Sequence, residues 1–168
     1  MALTLDSTVG GAAANTYGTV AEADAYFAAR PGSEAWTGQG DAEKKKAALI
    51  AATNRLDQEQ FAGTKVTTTQ RLKHPRWGLE DDDSVLYASD AIARPVKEAQ
   101  LEMALALLQN SKALGLSTLL QFEQLQVGSI SLTPSKSGLN PDALPPQVIR
   151  LLRGIRTSRS GQTEIVRG

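Results

Sequence analysis

The sequence predicts a mainly α-helical domain: a small bundle of three to four helices with a short β-hairpin and an extended C-terminal arm. Three observations predict this class. Alanine supplies much of the 41% of residues that are hydrophobic, which favours close packing of helices. Capping residues stand directly before two helix-like segments. Alternation of apolar and polar residues, which is typical of strands, marks a short segment near residue 130.

The first predicted helix runs from Val20 to Ala29. Thr19 can cap it, and Glu22, three residues further on, can complete a capping box. A Pro-Gly pair directly after the helix ends it. Before the helix, residues 3–5 are expected to form a short strand.

The second predicted helix follows Asp41, whose side-chain oxygen can accept from the free amides of the first turn. The helix is expected to continue to about Gln60. Leu49, Ala52 and Leu56 fall on one side of it and form an apolar stripe that should face the core.

The third predicted helix begins at Pro95. Proline is favoured at a first helical position, because an N–H there would have no acceptor within the helix. It is expected to continue to about Lys112. Residues 103–108 are all apolar and surround the helix on nearly every side. Since a helix that is apolar all round is buried on most sides, we expect this helix to be the central rod of the fold.

The C-terminal part is predicted from shorter patterns. Residues 125–132 alternate between apolar and polar types, which indicates a short hairpin or a bulged strand. Residues 147–156 are expected to form a last short helix. We therefore predict one helical domain over residues 1–156 and a flexible tail over residues 157–168.

Charge argues against a protein that binds nucleic acid through its overall field. Eighteen basic and eighteen acidic residues give a net charge of zero, whereas a protein whose own charge drives DNA binding is usually basic. No apolar run is long enough to cross a bilayer, and the first residues do not resemble a signal peptide. We expect a soluble protein without membrane contact.

The residues that most enzymes need are scarce. The chain has no cysteine and a single histidine, His74, which leaves no thiolate or multi-histidine metal site. Neither a glycine-rich phosphate loop nor a Gly-x-Ser-x-Gly elbow occurs. The acidic run Glu80–Asp83 lacks the spacing of a calcium loop and is expected to be solvated. We predict that the protein is not an enzyme and has no catalytic residues, cofactor or bound metal.

One cluster could contact DNA or a protein partner: Arg71, Lys73, Arg76 and Trp77. The cations would meet phosphates while the indole stacks on a base. The alternative, which we favour from composition, is that Trp77 lies in the core, because the chain has only eight aromatic residues in total.

A second basic cluster lies near the C-terminus: Arg150, Arg153, Arg156 and Arg159. In a helix, residues three apart are surface neighbours, so these arginines would extend along one side of the last helix and into the tail. They form either a solvated face or an arm that orders on a partner and binds its carboxylates.

A family resemblance is carried by segments that extend along most of the chain up to the predicted hairpin: Ala14-Asn15-Thr16-Tyr17, Val20 to Phe27, Lys46 to Ile50, Arg55-Leu56-Asp57, Phe61-x-Gly63, Gln70-x-Leu72, Pro75-Arg76, Gly78, Pro95-Val96-Lys97, Glu102 and Val127-Gly128. In order and spacing they resemble a family of tailed-phage proteins often labelled DnaT-like single-stranded DNA-binding proteins. These are similar to head–tail adaptors, also called head-completion or connector proteins. The sequence departs from the pattern at His74, where a tryptophan usually precedes the Pro-Arg pair.

The resemblance implies a structural head–tail adaptor that assembles in the host cytoplasm and stays in the neck of the virion. About twelve copies would form a ring beneath the portal protein through an interface that closes on itself. In this ring the arm with Arg150, Arg153, Arg156 and Arg159 would bind the portal protein or a neighbouring subunit. A stopper or tail-completion protein would bind the far side, and genomic DNA would pass through the lumen without sequence-specific contacts. The alternative, which the family label implies, is a single-stranded DNA-binding accessory protein of replication.

Overall fold

The computed structural model describes residues 3–109, 125–127, 130–132 and 144–157. In chain order its elements are α1 (Val20–Ala28), α2 (Glu34–Thr37), α3 (Ala42–Leu56), β1 (Thr64–Lys65), β2 (Arg76–Trp77), α4 (Arg94–Gln109), β3 (Leu125–Val127), β4 (Ile130–Leu132) and α5 (Pro146–Leu151). The described residues are thus mainly helical, and β3 pairs with β4 as an antiparallel hairpin. The predicted fold class is confirmed.

The two longer N-terminal helices begin where their capping residues predict. The Thr19 hydroxyl accepts from the Glu22 amide, and the Glu22 carboxylate accepts from the Thr19 amide at 2.7 Å, which completes the capping box. At the start of α3 the Asp41 carboxylate accepts from the amides of Glu43 and Lys44. Each cap gives partners to amides that the helix itself leaves free.

Two helices are shorter than predicted. α3 ends at Leu56 rather than near Gln60, since residues 58 and 59 form the tighter hydrogen bonds to the third residue back that terminate a helix. α5 ends at Leu151 rather than near Arg156, because Arg156 forms an antiparallel bridge with Phe61. The two segments beyond the helix ends therefore pair with each other, which neither could do as a helix.

Other predictions were incomplete or lie outside the described residues. Residues 3–5 do not form the expected strand. The short helix α2 and the ribbon of β1 and β2, which pair antiparallel, were not predicted. The end of the third helix near Lys112, Arg159 and the tail after residue 157 are outside the described residues, so the boundary between domain and tail stays a prediction.

The core lies where α4 packs against α3 and α5. Leu49, Leu56, Val96, Ala104 and Val148 are all completely or almost completely buried there. The prediction that the third helix is the central rod is confirmed, because it contacts helices on several sides. A fully buried aliphatic side chain contributes about 1.5–3 kcal/mol to folding.

One buried polar group links three parts of the core. The Gln100 side chain on α4 donates to the hydroxyls of Thr16 and Thr53 at 2.6 and 2.8 Å and to the Leu49 carbonyl at 3.2 Å. These partners lie in the N-terminal loop and on α3. The hydrogen bonds offset the cost of removing the NH2 of this amide from water, whereas its oxygen has no hydrogen-bond partner among the described residues.

Candidate functional site

Trp77 is the most exposed aromatic side chain among the described residues. It lies on β2 opposite Thr64 of β1, with 56% of its surface accessible. The other tryptophan, Trp36, is completely buried against Phe27, and its indole N–H donates to Asp24 at 2.8 Å. The interpretation that Trp77 lies in the core is therefore wrong, because more than half of its side chain is exposed; the tryptophan in the core is Trp36. An exposed indole is available to contact a ligand.

Arg76 holds the ribbon that carries Trp77. Its guanidinium donates to the carbonyl of Ala62 at 2.6 Å, to that of Lys73 at 3.2 Å and to those of Phe61 and Gly63. The planar fork of arginine suits several acceptors at once. Arg76 therefore joins the β1–β2 ribbon to the preceding loops, and its donors face the protein rather than solvent.

Gly63 makes the close packing of this ribbon possible. Its φ is +68°, in the left-handed region, and a Cβ there would lie 2.0 Å from the Trp77 carbonyl oxygen. Only glycine accommodates both conditions. Trp77 is consequently presented from a backbone that is fixed on both sides, by Arg76 and by Gly63.

Two of the remaining cations near the ribbon also bind carbonyls. Lys73 donates to the Glu59 carbonyl at 2.6 Å, and Lys65 donates to the carbonyls of Gln70 and Arg71. Arg71 is exposed. We define the Trp77 surface as the exposed residues Thr64, Arg71 and Trp77. Of the four residues predicted to contact DNA, the structure leaves Arg71 and Trp77 facing solvent and engages Lys73 and Arg76 internally.

His74 is buried and therefore cannot contact a ligand at this surface. Its ring is only 1% accessible and packs edge-on against Tyr17 and Phe61, with ring centroids 5.7 and 4.5 Å away. Neither ring nitrogen has a hydrogen-bond partner. Burial, and to a lesser degree the nearby cations of Arg76 and Lys73, lowers the pKa of His74 to about 3. The ring is therefore neutral at physiological pH.

The acidic run forms a turn whose carboxylates are partly used by its own backbone. The Asp81 carboxylate accepts from the amides of Asp83 and Val85 at 3.0 and 2.8 Å, and Glu80 bridges to Leu86. Val85 and Leu86 are 60% and 63% exposed at the tip of this loop. In the described parts of the chain, no group of three His, Cys, Asp or Glu residues is placed to hold a metal.

The C-terminal arginines do not act as one set. Arg156 pairs with Glu59 at 2.8 Å and is half-buried, so its guanidinium helps close the fold. Arg150 and Arg153 are exposed. The structure therefore divides the predicted arm: Arg150 and Arg153 face solvent, whereas Arg156 forms an ion pair within the domain.

The fold and these surfaces define a small helical bundle that presents a rigidly held tryptophan and exposed arginines. None of the helices in the described ranges is both long and apolar enough to cross a membrane. The family described as "Putative DnaT-like ssDNA binding protein" matches residues 1–168, and the chain belongs to that family. No curated protein and no solved structure matches the chain.

Proposed function

We propose that this protein binds single-stranded DNA without sequence preference, and that Trp77 is its main contact. The exposed indole on an immobilised ribbon supports this proposal most directly. Every base has a flat face that stacks on an aromatic ring, so such a contact tolerates any sequence. The description of the family agrees with this function.

The charge around Trp77 determines how the binding should respond to salt. Lys65, Lys73 and Arg76 all donate to backbone carbonyls, so the phosphates would be met mainly by Arg71. Neutralising one phosphate of a single strand gives a slope of log K against log salt of about −0.7. The dependence is therefore shallow, and stacking supplies much of the affinity.

Fluorescence titration with a thymidine oligonucleotide tests the proposal. Trp36 is buried, so quenching on addition of DNA reports on Trp77. Trp77→Ala should weaken binding by roughly 5- to 150-fold, the range that corresponds to the loss of one stacked base. Fluorescence anisotropy of a labelled oligonucleotide measures this variant, which has lost the reporting indole.

Leu86→Ala is the matched control, because Leu86 is exposed to a similar degree but lies on the acidic loop. It should bind DNA as the unchanged protein does. Equal affinity of the Trp77→Ala variant, or an absence of binding at low salt, would refute the proposal.

A second candidate is the structural head–tail adaptor of a tailed phage, which we also propose as non-catalytic. The observation that favours it is the loop tip with Val85 and Leu86, because exposed apolar side chains often mark protein contacts. In this function copies of the chain form a ring in the neck of the virion. The ring contacts the portal protein and a stopper or tail-completion protein, and it surrounds the genomic DNA.

Negative-stain microscopy and light scattering of the purified protein, with and without portal protein, separate the two candidates. The adaptor predicts rings or portal-bound complexes that a Val85→Ser, Leu86→Ser double variant fails to form. The DNA-binding function predicts that this double variant binds the oligonucleotide normally. A folded double variant that still joins heads to tails would remove the loop from the adaptor proposal.

A further inference from the structure

A cleft of about 290 Å³ lies on a different part of the bundle, where α1, α4 and α5 meet. Its walls are Tyr26, Arg30, Glu102, Gln147, Arg150 and Leu151. The cleft combines one buried carboxylate with two guanidinium groups. These residues are distant in sequence, and the fold alone brings them together.

Glu102 forms the floor of the cleft and is fully engaged. Only 6% of its surface is accessible; one carboxylate oxygen accepts from the Tyr26 hydroxyl at 2.8 Å, and the other pairs with Arg30 at 2.9 Å. Arg30 also donates to the Gln147 side chain. Arg30 therefore balances the charge of Glu102 and is held in place by partners on two helices.

Arg150 adds a positive charge that nothing in the described chain balances. It is exposed on α5, and no acidic side chain of the described residues pairs with it. The cleft consequently carries a surplus of one positive charge. Arginine presents two parallel N–H donors that match the two oxygens of a carboxylate.

The surroundings favour a carboxylate over a phosphate. Glu102 places a negative charge at the floor, which disfavours a dianion more strongly than a monoanion. Leu151 supplies an apolar wall that suits the methylene groups of an acidic side chain. We infer that this cleft binds the carboxylate of an aspartate or glutamate side chain from a partner protein, with Arg150 as its principal contact. This inference is independent of DNA binding at Trp77.

The probe for this site is N-acetylglutamate α-amide, whose only charge is the side-chain carboxylate. Its glutamine counterpart, N-acetylglutamine amide, has the same shape without the charge. A ligand of this size is expected to bind in the millimolar range. Nitrogen–proton correlation spectra of the full chain should show saturable shifts at the Arg150 side chain and the Leu151 amide.

Arg150→Gln should weaken binding of the probe at least about tenfold, since a charge-assisted pair is lost. Arg153→Gln is the matched control: it removes the same charge one turn further on, from a residue outside the cleft, and should leave binding unchanged. Both positions are exposed, so an otherwise unaltered spectrum confirms that each variant is folded.

The inference is overturned by any of three results. The glutamine amide could produce the same shifts as the glutamate amide. Arg150→Gln could bind the probe as tightly as the unchanged protein. Inorganic phosphate could bind more tightly than the carboxylate, which would assign the cleft to phosphate instead.

Discussion

Mild acidification should destabilise the protein through a single side chain, His74. The ring is buried between Tyr17 and Phe61, and both of its nitrogens lack partners. Protonating it in place would put a positive charge among apolar groups and near the cations of Lys73 and Arg76. The unfolded chain meets no such cost. Acid therefore favours the unfolded state.

The magnitude follows from the difference between two pKa values. The pKa of His74 is about 3 in the folded protein, against 6.5 for a free histidine. Below pH 6.5 the unfolded chain takes up a proton that the folded chain refuses, so stability is lost as the pH decreases. Between pH 7.5 and 5.5 the free energy of unfolding should decrease by about 1.4 kcal/mol. That corresponds to a decrease in Tm of about 3–6 °C.

Urea denaturation at several pH values between 7.5 and 5.5, with His74→Phe measured in parallel, is the assay. The chain has no other histidine, so the variant should lose most of the dependence in this range. The range stops above the carboxylates because burial raises the pKa of Asp57, and its protonation would favour the folded state at lower pH. If the variant and the unchanged protein gave the same slope, the reasoning would be refuted.

Two further substitutions test how the ribbon is held. Gly63→Ala should lower the free energy of unfolding by about 2 kcal/mol or more, because the left-handed backbone alone costs about 1–2 kcal/mol and the methyl group would meet a β2 carbonyl. In the control variant Gly40→Ala the added methyl group meets no atom within 4 Å, so the free energy of unfolding should change by less than about 0.5 kcal/mol. Equal effects of the two variants in urea denaturation would contradict the role of Gly63 in holding the ribbon. Arg76→Lys should cost about 1–2 kcal/mol, since an ammonium cannot reach the same carbonyls. Arg71→Lys should be neutral, and a neutral Arg76→Lys as well would show that the guanidinium does not anchor the ribbon.

Local signals in the sequence predicted the helix starts well and the helix ends poorly. Thr19 and Asp41 cap amides that are at most three residues away in the chain, so the start of each helix can be predicted from the local sequence. The ends of α3 and α5 depend on the pairing of Phe61 with Arg156, which lie far apart in the chain. The four residues of α2 are too few to show a helical repeat of apolar residues. The contact that buries Trp36 against Phe27 joins two separate helices, so no local pattern indicates it.

The candidate sites were partly predictable for the same physical reason. The sequence shows that basic residues cluster beside Trp77 and near the C-terminus, but composition wrongly favoured a buried Trp77 and does not reveal which donors already have acceptors. Arg76 and Lys73 bind loop carbonyls, and Arg156 binds Glu59; these partners are residues that no short motif connects. The cleft was not predicted at all, since Arg30 and Arg150 come from opposite ends of the described chain.

The hydrogen bonds of Gln100 limit how this molecule can respond to a ligand. A shift of α4 by one turn along α3 would separate the amide from Thr16, Thr53 and the Leu49 carbonyl at once, and all of these residues are buried. The two helices therefore have a single axial setting and behave as a rigid frame. Any rearrangement that accompanies binding should be confined to the ribbon, the acidic loop and the side chains at the cleft.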